Sequence, residues 1–496
     1  MTSDPARVVG PLSTASAILV HVPLLCEARR ASGRRRLYLV GGAVRDALLG
    51  RPMADLDLLV EDAPKVAARF ARSVGGKLVL LHEDWPVARV VVGRGARRRD
   101  FDFASPRADS VCGDLQARDF TVNGIAAGPL GAHPRLIDPC HGRHDCSRRL
   151  VRMTSPAALE TDPVRVVRAY RFASELGFRV DKRTHRECRR LAERVCLCPG
   201  ERVGAEMVKL FAGASPSRAL DGMSDAGVLQ IVIPELAPAV GMWQGGAHEY
   251  DVFAHSLFAV ERLLTLIDQA PQVFPDHAGE VRAYAGDGER RAALVLATLL
   301  HDVAKPECRV WEGGRWRFFA HESRGAQVAD RIAARLRLPK RLRRQIKLLV
   351  GAHMRLLPIL GGDHTTERAK RRLVRDLGAD TTGLVLLSLA DRRALRHDIG
   401  HEGERVVAAR LESLLAVARG MVRHPHPSRP LVTGTDLIAL GLEPGPVFRE
   451  VLEAIEEAWS AGEVATREEA LQWVTERLKP RKHRHTGNGG KGDDGS

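Results

Sequence analysis

The chain should fold as an α+β multidomain protein: an N-terminal α/β head with a small mixed sheet, then an all-helical neck and body. Three observations predict this. Between residues 35 and 137, short apolar runs (37–40, 78–81, 87–92 and 101–103) alternate with helical segments. From residue 157 onward, apolar residues recur at three and four, strand-like alternation nearly disappears, and the remainder should be helical. At 496 residues the chain is too long for one core, so roughly two to four domains are expected.

At the N-terminus, residues 15–26 are apolar but short, and His21 and Pro23 interrupt them. They read as a helix, not as a signal or a membrane span, and no other stretch is long enough to cross a bilayer. The run 37–40 reads as a buried strand that breaks at Gly41-Gly42 and passes into a short amphipathic segment, 43–49. A second apolar run then carries Asp55-Leu56-Asp57. Two glycines at a strand-to-helix turn let a triphosphate approach backbone N–H groups, and a helix N-terminus favours anions. Residues two apart on a strand share a face, so Asp55 and Asp57 can hold a divalent cation together. Each half is common in surface turns. Both in this order suit metal-assisted nucleotidyl transfer. Further on, Asp100-Phe-Asp102 follows three arginines. Asp102, between Phe101 and Phe103, is the candidate for a further carboxylate near the metals, with a surface strand aspartate as the equal alternative.

The net charge of +15 and a pI near 9.9 point to a polyanionic partner, nucleic acid before membrane. An arginine- and alanine-rich coding bias is the alternative. Aromatic residues make up only 5%, which argues against wide base-stacking platforms. Eight cysteines are scattered, without CxxC pairs, so reduced thiols in a cytoplasmic protein are expected and a zinc ribbon is not. Basic clusters at 340–347, 368–375 and 392–396 are either solvated helix faces or a nucleic-acid track. Breaks fall at 199–200, 234–246 and 425–430, and the tail 479–496, basic then Gly- and Asp-rich, should be disordered.

GGAVRD followed by DLD resembles the head signature of the class II tRNA nucleotidyltransferase and bacterial poly(A) polymerase family. The resemblance implies a nucleotidyltransferase-type head in which Gly41, Gly42, Arg45 and Asp46 meet the nucleotide and Asp55 and Asp57 hold Mg²⁺. The segment Arg118-Asp119-Phe120-Thr121-Val122-Asn123 resembles the family's RDFTxNA motif, implying that Arg118, Asp119 and Asn123 hold sugar and triphosphate. Gly124 stands where alanine is usual, and Ala117 where many members carry a second arginine. Asp138-Pro139…Gly142 is similar to the turn that closes the head.

In the neck, Asp162 and Arg165 are three apart on one helix face. A carboxylate accepts from the exocyclic amine of cytosine or adenine, and a guanidinium donates to the acceptor beside it. By spacing alone, the pair is equally an ordinary helix salt bridge. The family's EDxxR helix, continuing RxxRFAxxLGF, is matched at Arg168, Arg171-Phe172-Ala173 and Leu176-Gly177-Phe178, which adds Arg168 and Arg171 to the nucleotide-binding set. Thr161 replaces the leading glutamate and should affect helix capping more than base reading. Glu201-Arg202…Glu206 resembles the segment that braces the neck.

A second constellation comprises His255, His301-Asp302, His321, His353 and Asp391. Over residues 249–397 the segments YDVFAHSL, LLHDVAKP, FFAHES and LVGAHM resemble the HD superfamily of metal-dependent phosphohydrolases. The likeness implies a site for Mg²⁺, Mn²⁺ or Ni²⁺, either hydrolytic or a retained scaffold. Thr433-Gly434-Thr435-Asp436 reads as a helix start without chemistry.

The expected organisation is an N-terminal extension (1–34), head (35–150), neck and body (151–240), HD domain (241–400), C-terminal helices (401–478) and tail (479–496). The resemblance implies a CCA-adding enzyme using CTP and ATP on tRNA. Poly(A) polymerase and A-adding or CC-adding enzymes share every motif quoted. A protein uridylyltransferase should lack the RDFTxN and DxxR segments. An HD hydrolase with an RNA-binding head is disfavoured by the intact Asp55/Asp57 pair. No membrane partner is expected, and the sequence does not set the oligomeric state.

Overall fold

The computed structural model describes residues 14–478, except 21, 54, 82–86, 96–97, 132, 246–249, 362–364, 396–399, 424–429, 461–462 and 465. The expected disordered tail, the break at 425–429 and two of the arginines counted in basic runs, Arg97 and Arg396, lie outside the described residues. The chain divides into two compact units, one of residues 1–270, 280–355 and 386–398, the other of 271–279, 356–385 and 399–496.

The first unit opens with a seven-stranded sheet: β1 (Tyr38–Val40), β2 (Asp55–Leu59), β3 (Lys77–Leu80), β4 (Val87–Val92), β5 (Arg99–Ala104), β6 (Ala126–Gly128) and β7 (Arg135–Ile137). The order is β3-β4-β5-β2-β1-β6-β7, with β2 and β5 parallel and the other neighbours antiparallel, so the sheet is mixed as expected. Alternation fixes its two faces. Leu56, Leu58, Phe101 and Phe103 are buried, and Phe70 of helix Ala63–Val74 packs on Phe101 and Phe103 with ring centroids 4.9 and 5.3 Å apart. The intervening Asp55, Asp57, Asp100 and Asp102 therefore share the opposite face.

The expected N-terminal helix is two, Ala15–Val20 and Leu25–Ser32. Pro23 lies in the gap, and Leu24 takes a left-handed backbone (φ 52). The second helix is tied to the head, since Arg29 Nε donates to Leu130 O at 2.9 Å.

Beyond the sheet the unit is mostly helical, as the spacing predicts. Helix Val164–Leu176 packs against Gly200–Ala212 and Pro216–Asp225. Gly200 and Gly204 let the neck approach helix His321–Arg335: a Cβ on either would lie 2.2 Å from Arg335 O and 2.0 Å from Leu336 O respectively. Helix Gly288–Leu300 is buried continuously over 292–300, as befits an element surrounded by others. Two departures from the helical expectation occur. Leu150–Val151 (β8) pairs in parallel with Arg179–Val180 (β9). Arg309–Glu312 (β10) and Arg315–Phe318 (β11) form a hairpin around Gly313-Gly314, both at positive φ, which is the turn that matches strand twist. Four-residue strands fall below the length at which a period of two stands out from a helical background.

The second unit is helical. It includes the 24-residue helix Gly400–Arg423 and a core of Val432, Leu437, Ile455, Trp459, Val464 and Val474. The helix Gly434–Ala439 starts as expected, with a capping box between Thr433 and Asp436.

Candidate functional site

Strand β1 ends at Gly41 (φ 71), and helix Gly42–Leu48 begins there. A Cβ on Gly41 would lie 2.7 Å from a terminal nitrogen of Arg118 and 3.2 Å from Asp57 Oδ2. Only glycine leaves the guanidinium room beside the turn. Asp57 faces Arg118 across this gap. Burial, reinforced by the charges of Asp102 and Asp55 and opposed by Arg118, pushes its carboxyl up to about 6. A carboxylate so crowded by others is a site short of positive charge. The donors are all oxygens, which suits a hard divalent cation such as Mg²⁺. Asp55 and Asp57 fit that role.

Asp102 lies beside Asp57 in the β2–β5 register, as Asp100 lies beside Asp55. Its two oxygens, however, are clasped by Arg89 at 2.7 Å each. The expectation of a third carboxylate at the metals thus meets a clamp: Arg89, on neighbouring β4, already supplies the positive charge.

The other expected nucleotide contacts are placed differently. Arg45 is buried; it donates to Asn123 Oδ1 at 2.7 Å and to Asp46 at 3.0 Å. Asn123 Nδ2 donates to Asp119 Oδ1 at 3.0 Å, and Arg168 Nε donates to Asp119 Oδ2 at 3.0 Å. Arg168 reaches Glu206 at 3.0 Å, Glu206 accepts from Arg171 at 2.9 Å, and Arg171 donates to Glu175 at 2.6 Å. This is a continuous chain of alternating acceptors and donors joining head to neck. Burial works against ionising Asp119, but Arg168, Asn123 and the Phe120 N–H outweigh it and hold the carboxyl low. Arg45 and Arg171, both expected to touch nucleotide, are buried and make their hydrogen bonds inside this frame, and Arg171 also lies 3.4 Å over the Phe172 ring.

At the neck, Asp162 and Arg165 are only within 4.0 Å. Asp162 pairs with Arg202 at 2.7 Å, and Arg165 donates to Ala158 O at 2.8 Å. Arg202 was expected only as part of a brace. Thr161 does not cap the following helix; its hydroxyl donates back to Ala158 O at 3.2 Å. The Asp138 turn forms as expected, its carboxylate accepting from Gly142 N at 2.7 Å and Arg143 N at 3.0 Å.

All six residues of the second constellation come together. His255, His301 and Asp391 form one group, and Asp302, His321 and His353 another, with ligand atoms in each within 4.8 Å. His301, His321 and His353 direct Nδ1 at the carbonyls of Thr298, Phe318 and Val350, at 2.8, 2.7 and 2.8 Å. A carbonyl only accepts, so each Nδ1 carries a proton and each Nε2 turns toward the centre. There, Nε2 of His321 and His353 meet at 3.2 Å. His301 Nε2 lies 3.2 Å from Asp302 and 3.4 Å from Asp391 without the alignment of a hydrogen bond to either. Burial disfavours a charged His301, yet the two carboxylates outweigh it and raise its pKa to about 10. Burial and the charge on His301 press His353 down to about 4. The donor set fits a transition metal or Mg²⁺. Lys305, invisible as a participant in the sequence, lies 2.7 Å from Asp302 and donates to Gln244 at 2.6 Å.

Residues 37–152 match the Poly A polymerase head domain, and residues 177–240 match a probable RNA and SrmB- binding site of polymerase A. The chain is 35% identical over 445 residues to the A-adding tRNA nucleotidyltransferase of Deinococcus radiodurans, covering 88% of this chain and 94% of that one. It is also 35% identical over 449 residues to the CC-adding tRNA nucleotidyltransferase of Thermus thermophilus, covering 88% and 92%. The fold is similar to that of the Thermotoga maritima CCA-adding enzyme complexed with tRNA, with a TM-score of 0.59, 22% identity, and coverage of 94% and 99%. The head model matches residues 37–152, and two relatives at 35% identity align over 94% and 92% of their length: the chain belongs to the class II tRNA nucleotidyltransferases.

Proposed function

We propose that the protein adds nucleotides from CTP and ATP to the 3′ end of tRNA. The observation that carries this is Asp57, crowded by Asp55 and Asp102 and facing Arg118 across the Gly41 turn. Asp55 and Asp57 would hold the Mg²⁺. Bound divalent cations activate a hydroxyl or water and neutralise charge on phosphoryl oxygens. Arg118 would take the triphosphate through its planar fork, beside the N–H groups that open helix Gly42–Leu48. The Arg45-to-Glu175 chain fixes neck against head, so that Asp162 and Arg165 present one acceptor and one donor to the incoming base. Arg202 acts as a positioning residue by holding Asp162. Arg89 keeps Asp102 in place beside the pair. Eight free cysteines suit a reducing compartment, and we place the protein in the cytoplasm. Among the described residues, no helix is long and apolar enough to cross a membrane.

Equal identity to an A-adding and a CC-adding relative favours a second reading, in which the chain adds only part of CCA. Incubation of tRNAs lacking CCA, CA or A at the 3′ end with each nucleoside triphosphate singly decides between them. Incorporation of both C and A supports full addition, one alone supports partial addition, and none on any acceptor removes the proposal.

We also propose that the His/Asp group binds Mg²⁺, Mn²⁺ or Ni²⁺ and hydrolyses a phosphoester. The converging Nε2 atoms of His321 and His353 favour this reading. Lys305 would steady Asp302, while the three backbone carbonyls keep the imidazoles oriented. Metal content and turnover of a phosphoester panel, compared between wild type and His301→Ala/Asp302→Ala, test it. A wild-type protein without metal or turnover would reduce the group to a scaffold.

A further inference from the structure

The β10–β11 hairpin belongs to neither catalytic constellation. Four aromatic residues, Trp311, Trp316, Phe318 and Phe319, fall within nine positions of a chain that is otherwise aromatic-poor. Residues directly opposite across antiparallel strands share a face. The register sets Trp311 against Trp316 and Arg309 against Phe318, so these four line one side of the hairpin. The indoles meet edge-on at 4.9 Å, and the Arg309 guanidinium lies 3.6 Å over the Trp316 ring. Trp311 is 59% exposed and Phe319 57%. An isolated two-stranded hairpin is marginal in water, and open indole surface adds to its cost unless something covers it.

The chemistry around the rings indicates the occupant. Arg309 shares the ring face, while Arg315 and Arg317 lie on the opposite face with Glu312, which pairs with Arg317 at 3.1 Å; the hairpin thus carries three guanidinium groups against one acid. Flat apolar faces beside an excess of guanidinium fit nucleobases joined by phosphates. The inner end of the same face touches the His/Asp group. Lys305 lies 5.4 Å from the Phe318 ring centroid and 2.7 Å from Asp302. The Phe318 carbonyl accepts from His321 Nδ1 at 2.7 Å.

We infer that the β10–β11 hairpin binds single-stranded RNA by stacking a base on Trp311 and directs the adjoining phosphate toward the His/Asp group. The second half rests on the hydrolase reading; the stacking does not. The probe is a short single-stranded RNA carrying one 4-thiouridine, used with the full chain. Photocrosslinks should map to 309–319. Trp311→Ala should weaken affinity by roughly 5- to 100-fold, with Trp311→Phe restoring most of it and Arg309→Ala falling between. Turnover of an RNA phosphoester should show a raised KM with little change in kcat. His301→Ala should leave affinity for the probe intact. Crosslinks confined to 35–240, or wild-type affinity in Trp311→Ala, would overturn the inference; a protein retained by wild type but not by Trp311→Ala would then make this a protein-docking face. Loss of affinity in Trp311→Ala, with no hydrolysis by wild type, would keep the stacking and remove the hydrolase reading.

Discussion

The chain from Arg45 to Glu175 and the His/Asp group are both buried collections of ionisable side chains, yet they are balanced in opposite ways. In the first, every step sets a donor against an acceptor: Arg45 to Asn123, Asn123 to Asp119, Arg168 to Asp119 and Glu206, Arg171 to Glu206 and Glu175. In the second, three imidazoles have spent their Nδ1–H on backbone carbonyls, and their Nε2 atoms point at each other and at carboxylates. Burial alone therefore does not mark a ligand site. Like groups crowded together, imidazole on imidazole or carboxylate on carboxylate, do. By that standard Asp57 belongs with the His/Asp group, while Arg45 and Arg171 belong to the frame.

The comparison can be broken at its most exposed point by removing Asp55 or Asp57. Either Asp→Ala change should lower nucleotide incorporation by at least about 10²-fold, with tRNA affinity nearly unchanged. More than about a tenth of wild-type turnover in both variants would move the metal site elsewhere, because tenfold is only ~1.4 kcal/mol.

The frame should answer in stability. Asp119→Leu strands Arg168 and Asn123 and should cost about 3–5 kcal/mol in urea unfolding. The double variant Asp119→Leu/Arg168→Met should recover part of that. His353→Ala in chelator-treated protein should cost far less, since it removes one imidazole nitrogen facing another. Equal losses in the two regions would erase the distinction drawn between them.

A smaller effect is expected at the neck. Asp162→Ala should admit UTP and GTP, because a site built to hydrogen-bond its substrate rejects mismatches by leaving groups unpaired. Arg202→Ala should do the same more weakly, through Asp162. Equal loss with all four nucleotides, without misincorporation, would return the pair to an ordinary salt bridge.

The smallest effect is in pH. Asp57 has a folded pKa of about 6, above its usual 3.8, so the folded chain takes up a proton there that the unfolded chain does not. Its contribution to stability is present below pH 4 and is lost as pH rises toward 6 and beyond. Proton and cation compete for the same carboxylate, so the Mg²⁺ concentration for half-maximal activity should rise below about pH 6 and level off above it. A flat requirement from pH 5 to 8 would contradict this.

Much of this was legible in the residues. The strand-turn-helix-strand reading around Gly41 and Asp57 holds because period-two alternation and a double glycine are local signals. The six-member His/Asp series was legible as a set of motifs, each at the end or start of a helix. Arg89 was not, since its partner Asp102 is fixed by strand register across a hairpin. Arg202 reaches Asp162 across forty positions, a contact that only helix packing creates. Arg45 and Arg171 carry the same motif letters as solvent-facing arginines would, and nothing local reports that they are buried. The β10–β11 hairpin was missed because two four-residue strands vanish in a helical background, although Gly313-Gly314 was the turn signal available.

The sharpest test of the balance argument is calorimetric Ni²⁺ titration of chelator-treated protein carrying Asp55→Ala/Asp57→Ala, which leaves the His/Asp group as the intact acceptor. Saturable binding with proton release is predicted. It should be lost on adding His301→Ala/Asp302→Ala and unchanged on adding Asp119→Asn. Absence of binding, or equal loss from the Asp119 change, would contradict the account.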